Sequence, residues 1–326
     1  MKSFSKIISQ TTRAWGSVGK SIIRTFKTAP RVEVLFYIFI FALVMILISK
    51  YDPDNKNREG FKESKELVVK TGPEIYDKFY VDLYDDLVYN KIKNDFELGT
   101  LVKYTKPTEK SVLLDIGSGT GHHVNSMQMR GWNVKGVDIS PAMVEKAQEN
   151  YPNAEFKVGD AMQTMLYPGN SFTHITCLYF TIYYMKNKQQ FFTNCMHWLI
   201  PGGTLMLHLV DKDNFDPILP AGNPFTIVSP QKYADERITS TEIVFYDHNY
   251  KSNFDIKPGN EVVVFNEKFK NKKTGKVRKN ELKLFMPNHK KIINMAKRAG
   301  FIVLGEIDMV TCQYDNQFLY ILQKPN

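Results

Sequence analysis

Cysteine is scarce in this chain. Only Cys177, Cys195 and Cys312 occur in 326 residues, with no Cys-x-x-Cys pair. An odd, scattered set excludes a disulfide scaffold and a zinc site of the usual spacing, and it fits a reducing compartment. No histidine pair stands at the His-x-x-x-His spacing, so no metal is expected. Acid is missing from residues 1–32, which hold seven basic side chains (Lys2, Lys6, Arg13, Lys20, Arg24, Lys27, Arg31). The remaining 36 basic and 34 acidic residues nearly balance, so the net charge of +9 belongs mainly to this tail. With 43% apolar, 24% charged and 13% aromatic residues, the chain is neither disordered nor fibrous and can bury a sizeable core.

Between Arg31 and Lys50 lie eighteen residues whose only charge is Glu33, and residues 34–48 are an unbroken apolar run of fifteen. Eighteen helical residues span roughly 27 Å, close to the hydrocarbon thickness of a bilayer. The segment 32–49 is therefore expected to be an uncleaved transmembrane helix, a single-pass N-terminal anchor that places the protein at a membrane. Trp15, Val18, Ile22 and Phe26 recur at spacings of three and four with Lys20, Arg24, Lys27 and Arg31 on other faces. The tail 1–31 thus reads as a basic amphipathic helix, and the polar stretch 50–70 as a linker.

Val112 to Ile116 is a short apolar run with an acid, Asp115, followed by Gly117-Ser118-Gly119-Thr120-Gly121 and a helix-compatible stretch to Arg130. A buried strand, a glycine turn and a helix start are implied, letting backbone N–H groups approach a ligand closely. Val134 to Asp138 reads as a second strand, with Asp138 about twenty residues beyond the glycines, where an acid can take both hydroxyls of a ribose. The dinucleotide fingerprint needs Gly or Ala at its sixth position, where this chain has His122.

Leu-Leu-Asp-Ile-Gly-Ser-Gly-Thr-Gly (113–121), Val-Asp-Ile-Ser (137–140) and Val158-Gly159-Asp160-Ala161 resemble the first three motifs of class I S-adenosylmethionine-dependent methyltransferases, of the type with a methyltransferase 11/25-like domain. Residues 171–178, 188–199, 201–203 and 204–210 fit the family's fourth strand, next helix, Pro-Gly-Gly turn and fifth strand. Residues 290–299, 301–307 and 317–322 fit its last helix and two strands. The resemblance covers about residues 74–210 and 287–324, within a domain 71–326. It implies an α/β, Rossmann-like, doubly wound seven-stranded sheet whose last strand is antiparallel, with S-adenosylmethionine as cofactor. Asp115 and the turn Gly117, Ser118, Gly119 and Gly121 would hold the methionine end and Asp138 the ribose. Asp160 with Ala161 would meet the adenine edge, with further cofactor contacts from Ile139 and Leu178. Phe172-Thr173 departs from the Phe-Asp of many members. Tyr76, Tyr80 and Tyr84 recur on one helical face where members often have a tyrosine over the cofactor.

The family places its methyl acceptor after the fourth strand, where Tyr179, Tyr183 and Tyr184 are candidates for the catalytic pocket; core packing explains them as well. His208, near the end of the fifth strand, and His122 and His123, beside the turn, are candidate bases. Residues 211–286 interrupt the sheet as an insertion with strand-like stretches at 239–246, 261–269 and 277–286 and a turn at 271–276. Such an antiparallel β meander could be a substrate lid or a homodimer surface. Its lysines and phenylalanines leave an RNA-directed enzyme open, although alternation and a solvated turn explain them more simply, and an anchored protein argues against nucleic acid. The expected function is methyl transfer to N or O of a small-molecule or lipid-borne acceptor. RNA or cap methylation and a non-catalytic binding module are the alternatives.

Overall fold

The computed structural model describes residues 39–41, 43–44, 67–222, 229–257 and 259–326, and the chain divides into two units, Met1–Lys62 and Glu63–Asn326. In the first unit the described residues, 39–41, 43 and 44, are helical. The expected membrane localisation is corrected here: among the described residues no helix is long and apolar enough to cross a membrane. The rest of the 32–49 segment, the 1–31 tail and most of the 50–70 linker lie outside the described residues.

The second unit runs in order β1 (Leu67–Thr71), α1 (Lys78–Val88), α2 (Lys91–Thr105), β2 (Val112–Ile116), α3 (His122–Gln128), β3 (Asn133–Asp138), α4 (Pro141–Asn150), β4 (Glu155–Val158), β5 (Phe172–Cys177), α5 (Thr181–Tyr184), α6 (Lys188–Trp198) and β6 (Leu199–Val210). It continues with β7 (Ser240–Val244), β8 (His248–Asp255), β9 (Val262–Asn271), β10 (Val277–Phe285), α7 (His289–Arg298), β11 (Ile302–Asp308) and β12 (Gln317–Gln323).

Seven strands form one sheet in the order β11-β12-β6-β5-β2-β3-β4, with β12 antiparallel to both neighbours and the others parallel. This is the Rossmann-like α/β fold expected of the motifs. The central β2 is apolar on both faces because helices cover both. The helices start where short polar side chains can cap them: Asp77 accepts from Tyr80 N, Asn90 from Lys93 N, and Ser140 from Met143 N ahead of Pro141. Trp198, Phe191, Phe192, Leu205 and Leu207 are fully buried between the sheet and its helices.

Parallel register brings Asp115 opposite Gly136 and Ile116 opposite Cys177, so the C-terminal ends of β2, β3 and β5 share one edge. From β2 the chain winds outward through β3 and β4, and the later strands β5 and β6 lie on the other side. A crevice opens at that reversal.

The insertion forms a second sheet, β1-β10-β9-β8-β7, in which β1 pairs with β10 in parallel and the other pairs are antiparallel. Three strands were expected of the insertion; it supplies four, and β1, read as linker, adds a fifth. The overlooked β8, His-Asn-Tyr-Lys-Ser-Asn-Phe-Asp, is too polar to read as a strand, yet it buries Tyr250, Ser252 and Phe254 in strict alternation. Val263, Phe265, Glu267 and Phe269 of β9 do the same, and Tyr250, Phe254, Phe265 and Phe269 join the core that contains Tyr80, Phe180 and Phe215. Arg278, part of the basic stretch, is turned inward: its guanidinium donates to Asp77 at 2.7 and 2.9 Å and to the Ile75 carbonyl at 2.7 Å.

Candidate active site

The edge of the seven-stranded sheet, α1, and the last turn of β10 enclose a cavity of about 740 Å³. Asp115, Gly117, Ser118, Gly119, Asp138, Ile139, Asp160, Ala161, Leu178 and Tyr179 all line it. Gly121, Tyr183 and His208 do not reach it. Tyr183 is fully buried, with its Oη accepting from Val210 N at 2.8 Å. His208 is equally buried: its Nδ1 accepts the Tyr179 N–H at 3.2 Å, and its Nε2 faces Gln317 Oε1 at 3.0 Å. Both sit behind the wall of the cavity, because the strand-to-helix bend after β5 points Tyr183 back onto β6.

The glycine turn is locked to β3 by Gly117 N and Ser118 N, which donate to the Val137 carbonyl at 2.8 and 3.1 Å. Gly117 has φ +71°, and a Cβ there would meet Thr181 at 2.4 Å, so the turn packs directly on α5. At Gly119, φ +52°, a Cβ would find only the Tyr84 ring, at 3.7 Å. The backbone there faces open cavity and leaves room for a ligand to lie against it. Beside it the buried Ser118 hydroxyl has no partner.

Three carboxylates face this cradle, each fixed by donors that leave lone pairs over. Asp138 accepts from Gly119 N at 3.0 Å and Ser140 N at 2.9 Å. Burial pushes its pKa above the ordinary carboxylate value, against the pull of the backbone N–H groups of Ser140, Gly119 and Ile139. Asp115 accepts the Thr176 hydroxyl at 2.6 Å; burial raises it too, opposed first by the charge of His123. Asp160 accepts from Met162 N at 2.9 Å. Fixed carboxylates suit hydroxyl and amine donors, and a cradle without side chains suits a flat, closely held nucleoside, so the residues present fit S-adenosylmethionine.

Phenols form the opposite wall. Tyr76, beside α1, meets Tyr80, Tyr84 and Tyr184 edge to face, with ring centroids 5.5, 6.4 and 6.1 Å away, and its hydroxyl donates to Tyr184 Oη at 2.6 Å. Tyr80 and Tyr250 hydroxyls donate to Glu267 Oε1 at 2.9 and 2.7 Å, and Asn280 to its Oε2 at 3.1 Å. Burial pushes Tyr76, Tyr80, Tyr84 and Tyr184 above the ordinary phenol value, so all four stay neutral. His122 is engaged at both nitrogens, with Asp85 at 3.0 Å and Tyr151 at 2.7 Å, and stacks under Tyr89. Burial would raise Asp85, but bonds from His122 and Thr120 outweigh it and lower it. Lys93 and Asn94 of α2 also line the cavity, with Glu97 behind them; no motif signalled these. Among the described residues no group of three or more His, Cys, Asp and Glu side chains is arranged to hold a metal.

A family model described as "Methyltransferase domain" matches residues 114–207. The chain is 31% identical over 140 residues to a dTDP-4-amino-2,3,4,6-tetradeoxy-D-glucose N,N-dimethyltransferase of Saccharopolyspora spinosa, covering 41% of this chain and 55% of that one. It thus spans about half the length of that curated relative. It is 28% identical over 204 residues to a phosphoethanolamine N-methyltransferase of Plasmodium falciparum, covering 59% and 72% of the two chains. A solved S-adenosylmethionine-bound amino pentose methyltransferase from Micromonospora echinaspora superimposes with a TM-score of 0.53 over 76% of this chain and 96% of its own, at 18% identity, a likeness of fold. Residues 114–207 match a methyltransferase domain, and the fold is that of a solved S-adenosylmethionine-bound methyltransferase.

Proposed function

We propose that the chain is an S-adenosylmethionine-dependent N-methyltransferase that acts on the amine of a small polar molecule. The observation that carries this reading is the chemistry of the cavity wall: neutral phenols, His122 bonded at both nitrogens, and His123 tied through Nε2 to Glu97. An alcohol needs a base to take its proton as the methyl group arrives, whereas a neutral amine already presents its lone pair. The two curated relatives are both named for transfer to nitrogen. A cavity of about 740 Å³ lies in the upper part of the roughly 300–1,000 Å³ range of small-molecule sites, room for a cofactor and a modest acceptor together.

When bound, the cofactor would supply an electrophilic methyl group on a sulfonium. Asp138 would take the ribose hydroxyls, Asp160 and Ala161 the adenine edge, and Ile139 and Leu178 the flanks of the adenosine. Asp115 and the Gly117–Gly121 turn would hold the methionine end. Tyr179, held at φ +52° with its N–H on His208, would border the acceptor; His208 and Tyr183 would act through position, not contact. Direct displacement asks the protein for alignment and exclusion of water, which the insertion sheet would provide by roofing the cavity. As the acceptor nitrogen gains the methyl group it becomes cationic before releasing a proton to water, a charge the tyrosine faces tolerate.

The test is incubation of the full chain with methyl-labelled S-adenosylmethionine and matched pairs of acceptors, each an amino sugar or phosphorylated amine beside its hydroxyl-only counterpart. Label is expected in the amine members. Transfer confined to the hydroxyl members, or cofactor binding with no transfer to any acceptor, would overturn the proposal.

A further inference from the structure

The cavity wall next to the glycine turn contains a buried charge cluster. Lys93 and Glu97, one turn apart on α2, form a 2.8 Å ion pair whose side chains are 5% and 0% exposed. The same oxygen, Glu97 Oε2, also meets His123 Nε2 at 2.8 Å. Burial alone would raise the Glu97 pKa, but the Lys93 ammonium and the His123 bond outweigh it and hold the carboxyl well below its ordinary value. His208 Nδ1 lies 3.3 Å from the other oxygen, Oε1, yet it accepts the Tyr179 N–H and so has no proton to offer; Oε1 has no donor.

A buried ion pair is a poor way to gain stability, because both charges lose their water. What it provides is a cation fixed in place. An ammonium has three donors, and one of those of Lys93 goes to Glu97. Lys93, Asn94 and His123 line the same cavity as Asp115. Lys93 Nζ also stands 5.3 Å from the centre of the Tyr179 ring, at the cavity surface. One stretch of wall therefore offers a carboxylate and, beside it, an ammonium backed by an imidazole. That is the complement of an amino-acid zwitterion.

We propose that Lys93, pinned by Glu97 and His123, binds the α-carboxylate of the cofactor's methionine moiety, while Asp115 faces its α-ammonium. The proposal rests on the S-adenosylmethionine reading of this cavity and extends it to residues outside the motifs. Glu97 and His208 are positioning residues: one sets the Lys93 ammonium, the other the backbone of Tyr179. The pairing also explains why a lysine and a glutamate are buried here when apolar residues would fill the same space at less cost.

The test is calorimetric titration of the full chain with two nucleosides, S-adenosylhomocysteine and S-adenosyl-3-thiopropylamine, which keeps the adenosine and the amine but lacks the carboxylate. The native protein is expected to prefer the first by about 10- to 100-fold, the equivalent of one charge-assisted hydrogen bond. The double variant K93M/E97Q removes both charges, so no uncompensated carboxylate stays buried. It is expected to lose that preference while binding the decarboxylated nucleoside within about threefold of the native protein. Equal binding of the two by the native protein, equal loss of both by the variant, or an unchanged preference in the variant would each overturn the proposal. Should the double variant fail to melt cooperatively, K93R, which keeps the charge but shifts the donors, serves instead: a changed preference supports the assignment and an unchanged one overturns it. A folded native protein that bound neither nucleoside would defeat the cofactor reading itself, and this proposal with it.

Discussion

Asp138 ends β3 with each carboxylate oxygen held by a backbone N–H, so its remaining lone pairs are aimed before any ligand arrives. Replacement by alanine is expected to weaken S-adenosylhomocysteine binding by ~1–3 kcal/mol, since hydroxyl donors would lose a charged acceptor. Calorimetry on the folded variant checks this, and unchanged affinity would remove Asp138 from the site. Residues of this kind are legible in sequence because strand, turn and spacing coincide: an apolar run, then Gly-x-Gly-x-Gly, then an acid at the end of the next strand. Lys93 and Glu97 are not legible in that way. A Lys-x-x-x-Glu pair on a helix reads as a solvated surface bridge, and its burial is decided by what α2 packs against, which no local pattern contains. Tyr183 and His208 failed to reach the cavity for a related reason: sequence places them at the right strand ends, but side-chain direction there depends on how the chain bends after β5.

At the scale of elements, the insertion sheet is attached to the methyltransferase core by a few specific contacts. Arg278 of β10 donates to both oxygens of Asp77 and to the Ile75 carbonyl, donates from Nε to Asn280 at 2.8 Å, and stacks 4.9 Å over Phe79. Because Asp77 also caps α1, one guanidinium joins the sheet to the helix that carries the tyrosine wall. The R278M variant is therefore expected to lose ~1–3 kcal/mol in denaturant unfolding, as a half-buried pair loses its charge partner and the Ile75 carbonyl its donor. A loss within the ordinary scatter of surface substitutions would contradict this attachment. The parallel sheet was readable from its motifs and apolar runs, with most boundaries shifted by a residue or two; β6 starts five residues early, at Leu199, and takes the expected Pro-Gly-Gly turn at 201–203 into the strand. The insertion was readable only in part, because β8 alternates polar with aromatic side chains and β1 pairs with β10 across two hundred residues. Long-range pairing of that kind leaves no mark in either segment alone.

For the molecule as a whole, buried phenols and thiols set the pH range of stability. Burial pushes Tyr76, Tyr80, Tyr84, Tyr179, Tyr183, Tyr184 and Tyr250, together with Cys177, Cys195 and Cys312, above their ordinary values of 10.0 and 9.0. Each stays protonated in the fold while the unfolded chain ionises, so their contribution is intact below about pH 9 and declines as the pH rises further. Lys188, pulled down to about 8 by burial, has the opposite sign: between there and its ordinary 10.5 the unfolded chain holds the extra proton, and stability rises. Two lysines, Lys188 and Lys324, oppose these ten acids, so melting temperature should fall steeply above about pH 10, with the buried tyrosines' share of the phenolate absorbance appearing only as the protein unfolds. The full phenolate absorbance of all the tyrosines reached in the still-folded protein would contradict this.

One cavity, built on the Gly117–Gly121 turn and roofed by the insertion sheet, is proposed to be the S-adenosylmethionine site. Calorimetric titration of the full chain with S-adenosylmethionine, and separately with NAD, tests it most directly. Saturable binding of S-adenosylmethionine at one site per chain, with no binding of NAD, is the predicted result. A folded protein that bound NAD, or neither nucleotide, would contradict it.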